Sequence, residues 1–502
     1  MSKLLIGWAE ESIVPDKKVS LAGQFYERIS DYVESDITAT AMAVEADGDV
    51  MIMVSVDVAS VPLPLIEYAR EKFASLTDEV DPKKIIVCAT HTHTSLKIAA
   101  NANVGKEQVS ISPTVKILEE FLPKGKMYTP KVTADESVIT IKEANELVSD
   151  KIALAAKKAW DNRKEAYYAN EFGRAPVGMC RRVSYDDGSA QMWGDTNTAN
   201  FVSLEGGNDS GIELIYTFDK DKKLTGVVAN IACPSQILEH RNFISSDYWG
   251  RTKANIREKF GSDVFLLALC GAGGDQCPRD LVRWVNPETP FDDPNVKRPH
   301  VLDRKADPSM YDISGCNKAG KRIANEIISV YEEITELKDS APFVHKVIDL
   351  DLPLRKATMK EYNEAVRELE YYVEKNKDKE RFDYADNAKM HVHSGTIARY
   401  RKQQFEEVVP IEVHIVRFGD VSFATNPFEL FLDYGNYIKA RSYAKQTFIV
   451  QLCSGASGYL PTEKAEKAGH YSAYISSGLV GHEGGKLLAI KSVDEINKLF
   501  SI

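Results

Sequence analysis

Short apolar runs that each break off into a cluster of polar residues are the main pattern of this chain. Lys3 to Trp8, Ala39 to Val44, Met51 to Val58 and Ile85 to Thr90 are largely apolar and rich in residues that favour strands. Runs of this kind predict strands with both faces covered. Pro62 to Leu76 carries its apolar residues at helical spacing, so Met51 to Thr90 reads as strand, helix, strand. In such a βαβ unit ligands bind beyond the carboxyl ends of the strands. Further strands are expected at Ile212 to Thr217, Leu224 to Ile231, Val264 to Cys270, Phe343 to Leu354 and Thr447 to Leu452. A hairpin is expected from Ile411 to Phe418 and Val421 to Ala424, turning at Gly419-Asp420. Helical periodicity covers Asn145 to Lys164, Ser314 to Thr335 with Ser314 as N-cap, and Thr358 to Lys377. Residues 101 to 145 are less regular. Arg283 to Tyr311, rich in Pro, Asp and Asn, is expected to be a long loop or lid, an insertion over about 283–312. The fold class that follows is α/β: one large mixed-sheet domain over residues 1–502, strand ends converging on one site.

The polar clusters carry the candidate chemistry. Ile85 to Lys97, IIVCATHTHTSLK, ends its strand in His91 and His93. Alternate residues of extended chain face one side, so both imidazoles can address one point, and neutral imidazole is a common ligand of divalent transition metals. The bland reading is one buried and one exposed histidine. Asp57 ends its own strand, either as a site residue or as a cap of the next turn. Leu224 to Ile231 runs into CPSQILEHRNFISSDYWG, which gathers Cys233, Gln236, Glu239, His240 and Asp247. Val264 to Cys270 runs into GAGGDQCPRD, where glycines expose Asp275, Gln276 and Cys277. That stretch is neither a Walker loop nor a dinucleotide fingerprint. Cys277 is a candidate nucleophile if a base or cation lies beside it. Arg181 and Arg182, just before the hairpin turn Asp186-Asp187-Gly188, are candidates to hold an anionic or carbonyl group of a substrate. Glu429 follows a strand, at the expected start of a helix reaching about Ala444, where pairing with the helix N-terminus is the plainer reading. Tyr459 stands on a glycine-flanked turn. His391 and His393 form a second pair ahead of a basic helical segment and are read as structural.

Composition narrows the partners. With 502 residues, 43% hydrophobic and 27% charged, a large core is available. A net charge of −11 argues against a general nucleic-acid surface. No run approaches the roughly 18 uncharged apolar residues of a membrane span, and the N-terminus has no signal-peptide apolar region. Seven scattered cysteines suit reduced thiols, so a cytoplasmic protein acting on a small molecule is expected, with homo-oligomerisation open.

Taken in order, ATHTHTS at 89–95, ISSD at 244–247, GAGGDQCP at 271–278, NPFE at 426–429 and GYLPT at 458–462 resemble the catalytic domain of the neutral/alkaline ceramidase family, over about residues 4 to 485. The resemblance implies a zinc-dependent amidase that cleaves an N-acyl bond. It implies His91, Glu429 and Tyr459 as zinc ligands, His93 beside the metal handling a proton, and Asp247 and Asp275 orienting other side chains. Tyr459 is a further candidate to donate to the oxyanion. Zinc with an open position lowers the pKa of bound water to about 7, which suits this chemistry. Two departures stand out. The family's second zinc histidine should fall near Cys233-Pro234, so Cys233 would substitute, Glu239 or His240 would reach in, or the site is altered. The family's serine in the glycine-rich motif is Cys277 here. The family's C-terminal immunoglobulin-like domain is expected to be absent, and the substrate to be small, polar or glycan-derived rather than ceramide. The alternatives are a metal-independent hydrolase using Cys277 or pairs among Glu239, Asp247, Asp275 and Glu429, and a non-catalytic binding protein.

Overall fold

The computed structural model describes residues 3–99, 113–126, 136–282, 284–285, 305–306 and 312–501. Twelve strands form two sheets. The larger holds β1 (Leu5–Ser12), β2 (Thr38–Ala46), β3 (Asp49–Val56), β4 (Ile85–Ala89), β5 (Lys164–Arg174), β6 (Gly211–Asp219), β7 (Leu224–Ile231) and β8 (Phe265–Cys270). Its strand order is β8-β7-β6-β5-β1-β2-β3-β4. The smaller holds β9 (Phe343–Pro353), β10 (Val408–Phe418), β11 (Val421–Thr425) and β12 (Gln446–Val450), in that order. Both are mixed: β3 and β4, β7 and β8, and β11 and β12 run parallel, and the other neighbours antiparallel.

The sheets stack face to face. Met42, Val44, Met51, Met53, Ile86, Val228, Leu267 and Leu269 from one meet Phe343, Val416, Phe418, Phe423, Phe448 and Val450 from the other. Strand β2 shows why its sequence lacks a polar face: Ala39, Ala41 and Ala43 turn to a helix layer while Met42 and Val44 turn to the second sheet. The helices Leu63–Leu76 and Ile141–Asp161 cover β1 to β4 through Leu65, Ile66, Phe73, Val148 and Ile152. Asp247–Phe260 and Asp312–Glu332 cover β6 to β8. His482–Phe500 and Leu432–Arg441 cover the outer face of the smaller sheet. The result is four layers, helix, sheet, sheet, helix.

The expected βαβ unit is present, since β3 and β4 pair in parallel across Leu63–Leu76. Three expectations are corrected. Strand β5 replaces the tail of the helix predicted to reach Lys164, because that helix ends at Asp161. Residues 113–121 and 141–144, read as irregular, are helical, the latter opened by a capping box between Thr140 and Glu143. Ser314 is not an N-cap, because its helix starts at Asp312. The lid reading of 283–312 falls mostly outside the described residues. Within it Trp284–Val285 pairs antiparallel with Lys305–Ala306.

Candidate functional site

Strand β4 ends at Ala89, and the chain then turns sharply. Thr90 and His91 give their backbone N–H groups to Val56 and Val58 at 3.0 Å each. His91 sits at φ +65°, a left-handed conformation unusual for a non-glycine residue and common where a side chain is aimed for function. Asp57 anchors this turn rather than facing the site: its carboxylate accepts from Thr90 Oγ1 at 3.1 Å and from the Thr38 N–H at 2.9 Å. The interleaved threonines clip the turn to the next loop, with Thr92 and Thr94 both donating to the Ser245 carbonyl at 2.9 Å. Ser235 returns a hydrogen bond to the Thr90 carbonyl at 2.6 Å. The H-x-H segment and the loop after β7 are therefore tied to each other by side-chain hydrogen bonds.

Glu429 and Tyr459 reach the same place by direct strand pairing. Glu429–Leu430 is a two-residue strand parallel to Tyr459–Leu460, and Glu429 is the register partner of Tyr459. This corrects the helix-start reading, since the helix begins three residues later at Leu432. The glycine-rich loop makes the approach possible: a Cβ on Gly274 would lie 2.3 Å from the Glu429 carbonyl oxygen. Asp275 locks the junction, its carboxylate accepting from Leu432 N–H and its backbone carbonyl from Arg181 N–H, both at 2.9 Å.

The side chains converge as follows. His91 Nδ1 is 2.5 Å from the Ala59 carbonyl oxygen, and its Nε2 lies 3.5 Å from Glu429 Oε2. His93 Nε2 is 3.4 Å from His91 Nε2, and His93 Nδ1 is 3.0 Å from Glu239 Oε2. Arg181 Nη2 donates to the Gly274 carbonyl at 2.8 Å and to the Tyr459 hydroxyl at 3.3 Å, while its buried Nε has no hydrogen-bond partner. Tyr459 donates in turn to Glu429. Burial works to raise the Glu429 pKa, but His91, Arg181 and Tyr459 outweigh it and hold the carboxylate below its usual range. Burial and the neighbouring Glu429 charge keep Tyr459 a phenol. Burial likewise keeps His93 below the usual histidine range, against the pull of Glu239.

No protein-family model matches the chain, and no curated protein matches it. Solved structures do. A neutral ceramidase from Pseudomonas aeruginosa superposes with a TM-score of 0.65 at 13% identity, covering 100% of this chain and 75% of that one. A ceramidase complexed with C2 gives 0.64 at 12%, covering 99% and 75%. The fold is that of the neutral ceramidases. The five motifs that resemble that family all lie in the described residues. Three bring donors to the cluster above, His91 and His93, Glu429, and Tyr459.

The remaining candidates of this ceramidase-like chain divide. Glu239 enters the site, but through His93 rather than toward a substrate. Its neighbour His240 instead faces Asp312 Oδ1 at 3.6 Å. Cys233 lies in an apolar cluster with Val177, Ile231, Ile237 and Trp249, its Sγ 3.5 Å from the Pro234 carbonyl, and burial drives its pKa well up. That setting suits a core thiol rather than a soft metal ligand. Cys277 is fully buried, bonded to the Arg279 carbonyl at 3.4 Å and pushed up to about 12 by burial despite Arg181 and Arg279, the opposite of an activated nucleophile. Gln236 is buried, its carbonyl accepting from the Glu239 N–H. Asp247, at φ +56°, accepts from Leu238 and Tyr248 N–H groups and ties the loop to its helix. Arg182 is buried against Glu205 and the Gly469 and Tyr471 carbonyls, so it clamps a loop instead of a substrate. His391 and His393 lie inside the helix Tyr384–Lys402, not ahead of it, and His391 Nδ1 bonds to its own helix at Ala388.

Two contributors escape a sequence reading. Arg28 reaches the His93 and Arg241 carbonyls at 2.6 and 2.7 Å, fixing the histidine turn from a segment with no motif. Tyr471 meets the Tyr459 ring edge-on at 5.5 Å, and Phe25, partly exposed, stands 6.0 Å from Tyr471, forming an aromatic wall. The sequence HY just after the GYLPT segment was the available signal for Tyr471.

The donor set suits zinc in kind: two imidazoles, a carboxylate and a phenol. Among the described residues no three His, Cys, Asp or Glu side chains already form a metal-holding group. What is present is two overlapping pairs, His91 with His93 and His91 with Glu429. Among those residues no helix is long and apolar enough to cross a membrane.

Proposed function

We propose that the chain is a zinc-dependent hydrolase of an amide, cleaving an N-acyl bond of a small, polar or glycan-derived substrate by attack of water. The observation that carries this reading is that His91 contacts both His93 and Glu429, beside an arginine with an unpaired, buried N–H. His91 and Glu429, with Tyr459, would hold the zinc ion, which when bound acidifies a water and polarises the acyl carbonyl. Arg181 Nε then donates to the carbonyl oxygen as it becomes anionic, in a buried setting where such a bond counts most. The water oxygen bonds to the acyl carbon and the C–N bond breaks. His93, its Nδ1 held by Glu239, relays the proton that the water gives up to the departing amine. Tyr459 links Arg181 to Glu429 and keeps both in place. The aromatic wall of Phe25 and Tyr471 offers a face for a sugar ring or short acyl group.

The test is amine release from N-acyl amino sugars, N-acyl amino acids and a short-chain ceramide, before and after chelation and zinc re-addition. Release from one class, lost with chelator and restored by zinc, is expected. Full turnover in chelator by metal-free protein removes zinc from the reading. No amine from any class, with a ligand still stabilising the protein, leaves a non-catalytic binding protein.

A further inference from the structure

Phe25 has no place in the core and a fixed place beside the site. It is 43% exposed, and no hydrophobic cluster of the described residues includes it. Its loop is nevertheless pinned at both shoulders. Leu21 N–H donates to the Arg28 carbonyl at 2.8 Å, Ala22 N–H to the Ser95 carbonyl at 3.0 Å, and Arg28 to the His93 carbonyl at 2.6 Å. Gly23, at φ +90°, lies so close to the His93 ring that a Cβ there would stand 2.3 Å from its Cγ. From Phe25 a run of rings continues both ways. Inward, Phe25 meets Tyr471 at 6.0 Å, and Tyr471 meets Tyr459 at 5.5 Å. Outward, Phe25 lies 5.0 Å from His391, the two rings tilted by 38°. His391 is held in place as well. Arg399 of the same helix donates to the Gly478 carbonyl at 2.8 Å, and a Cβ on Gly395 would lie 2.5 Å from the Ser476 Cβ, so the helix is clamped to the segment that follows Tyr471.

Four rings thus run from Tyr459 outward to His391. All but the phenylalanine carry a polar edge. Tyr459 and Tyr471 have their hydroxyls, and His391 keeps Nε2 for a ligand because its Nδ1 is spent on the Ala388 carbonyl at 2.9 Å. That mixture of bare face and polar edges selects the occupant. An acyl chain laid along it would cover those polar atoms and give them no hydrogen bond, a cost that a desolvated contact does not recover. A pyranose ring brings an apolar C–H face for Phe25 and a rim of hydroxyls for the neighbouring edges. On the hydrolase reading given above, we infer that Tyr471, Phe25 and His391 form a carbohydrate subsite that takes the pyranose ring of an N-acyl amino sugar. The ring stacks on Phe25, its hydroxyls meet Tyr471 and His391, and its acylamino group is directed inward to His91 and Arg181. Binding energy gathered on the sugar, which does not react, then holds the amide in position for attack. The second histidine pair of the sequence thereby finds a use, through the ring face of its first member.

The experiment measures binding to the full chain in chelator, by saturation-transfer NMR titration, so that it does not depend on zinc. The probes are N-acetylglucosamine, N-acetylgalactosamine and N-acetylmannosamine. N-acetylethanolamine, which keeps the acetamide and lacks the ring, is the comparator, and N-octanoylethanolamine stands for an acyl-chain occupant. One hexosamine at least is expected to bind at least about 10-fold more tightly than N-acetylethanolamine, with saturation passed to the C–H groups of one sugar face. Phe25→Ala and His391→Ala should each remove most of that preference, and Phe25→Tyr should keep it. His393→Ala, two residues on and so on another side of the helix, should leave it unchanged. Three results overturn the subsite: no preference for any hexosamine, a preference that Phe25→Ala does not move, or tighter binding of N-octanoylethanolamine that Phe25→Ala abolishes. Amine release is assayed separately with zinc present. Sugar binding without amine release removes the hydrolase reading and leaves a sugar-binding site; zinc-dependent amine release without a sugar preference removes the subsite alone.

Discussion

Among the described residues two buried histidine pairs stand with carboxylates, and they are built to opposite specifications. Inside the sheet sandwich, His345 Nε2 lies 2.9 Å from His414 Nδ1, a distance at which a proton is shared. Beyond β4, the His91 and His93 nitrogens stand 3.4 Å apart. The inner pair ends on Glu412, whose carboxylate is gripped by Arg70 and Lys83 at 2.7 Å each. Burial opposes ionisation of Glu412, but His414, Arg70 and Lys83 hold its pKa far below the usual range. The outer pair faces Glu429, and the nearest arginine reaches that carboxylate by way of Tyr459. A cluster whose negative charge is already matched by side chains is finished and serves the fold. The outer cluster differs in leaving the buried Nε–H of its arginine, Arg181, without a hydrogen-bond partner beside Tyr459.

The sharpest way to break this contrast is His91→Ala against His414→Ala. The first is expected to take amine release to background in protein that still folds, the second to leave the turnover of folded protein intact. Equal loss in both would end the distinction. Next in size, Glu412→Ala should cost about 3–5 kcal/mol in urea unfolding, because it strands the buried Arg70 charge. A shift near zero there would show that the inner cluster does not hold the fold. Arg181→Ala should lower kcat/KM by about 10²–10³, the usual loss for one oxyanion donor, with unchanged zinc content measured alongside. Asp247→Asn addresses pH. Burial raises Asp247 from 3.8 to about 7, so its contribution to stability is full below about pH 4 and is lost as pH rises through about 7. Asparagine does not ionise, and the stability of the variant relative to wild type should therefore climb between pH 4 and 7; a pH-independent difference would contradict it. The smallest effect is expected for Cys277→Ser, a change in turnover of no more than a few fold.

The sequence was most readable where short-range rules decide the outcome. Apolar runs gave the buried strands, Asp187-Gly188 the hairpin, and the break after Ala89 the turn that carries His91 and His93, because each is settled within a few residues. Glu429 and Tyr459 were visible as residues, but their side-by-side register is a two-residue pairing between distant segments, with no periodicity to read. Arg28 was hidden for the same reason, since its value lies in carbonyls it meets only after folding. Polar residues misled in the other direction: Arg182, Asp247, Asp275 and Cys277 look chemical in the chain, yet their hydrogen bonds are spent on backbone groups and loop clamps. Burial, which decides between those uses, is a property of the packed layers.

The pairing of Glu429 with Tyr459 also sets when the site can exist. Synthesis delivers His91 well before Tyr459, and no local contact anticipates their meeting. A nascent chain halted between Ser95 and the GYLPT segment carries both histidines but neither the phenol of Tyr459 nor the strand that pairs with Glu429. Translation interrupted at such a point therefore yields a chain in which Glu429 and Tyr459 cannot pair beside His91.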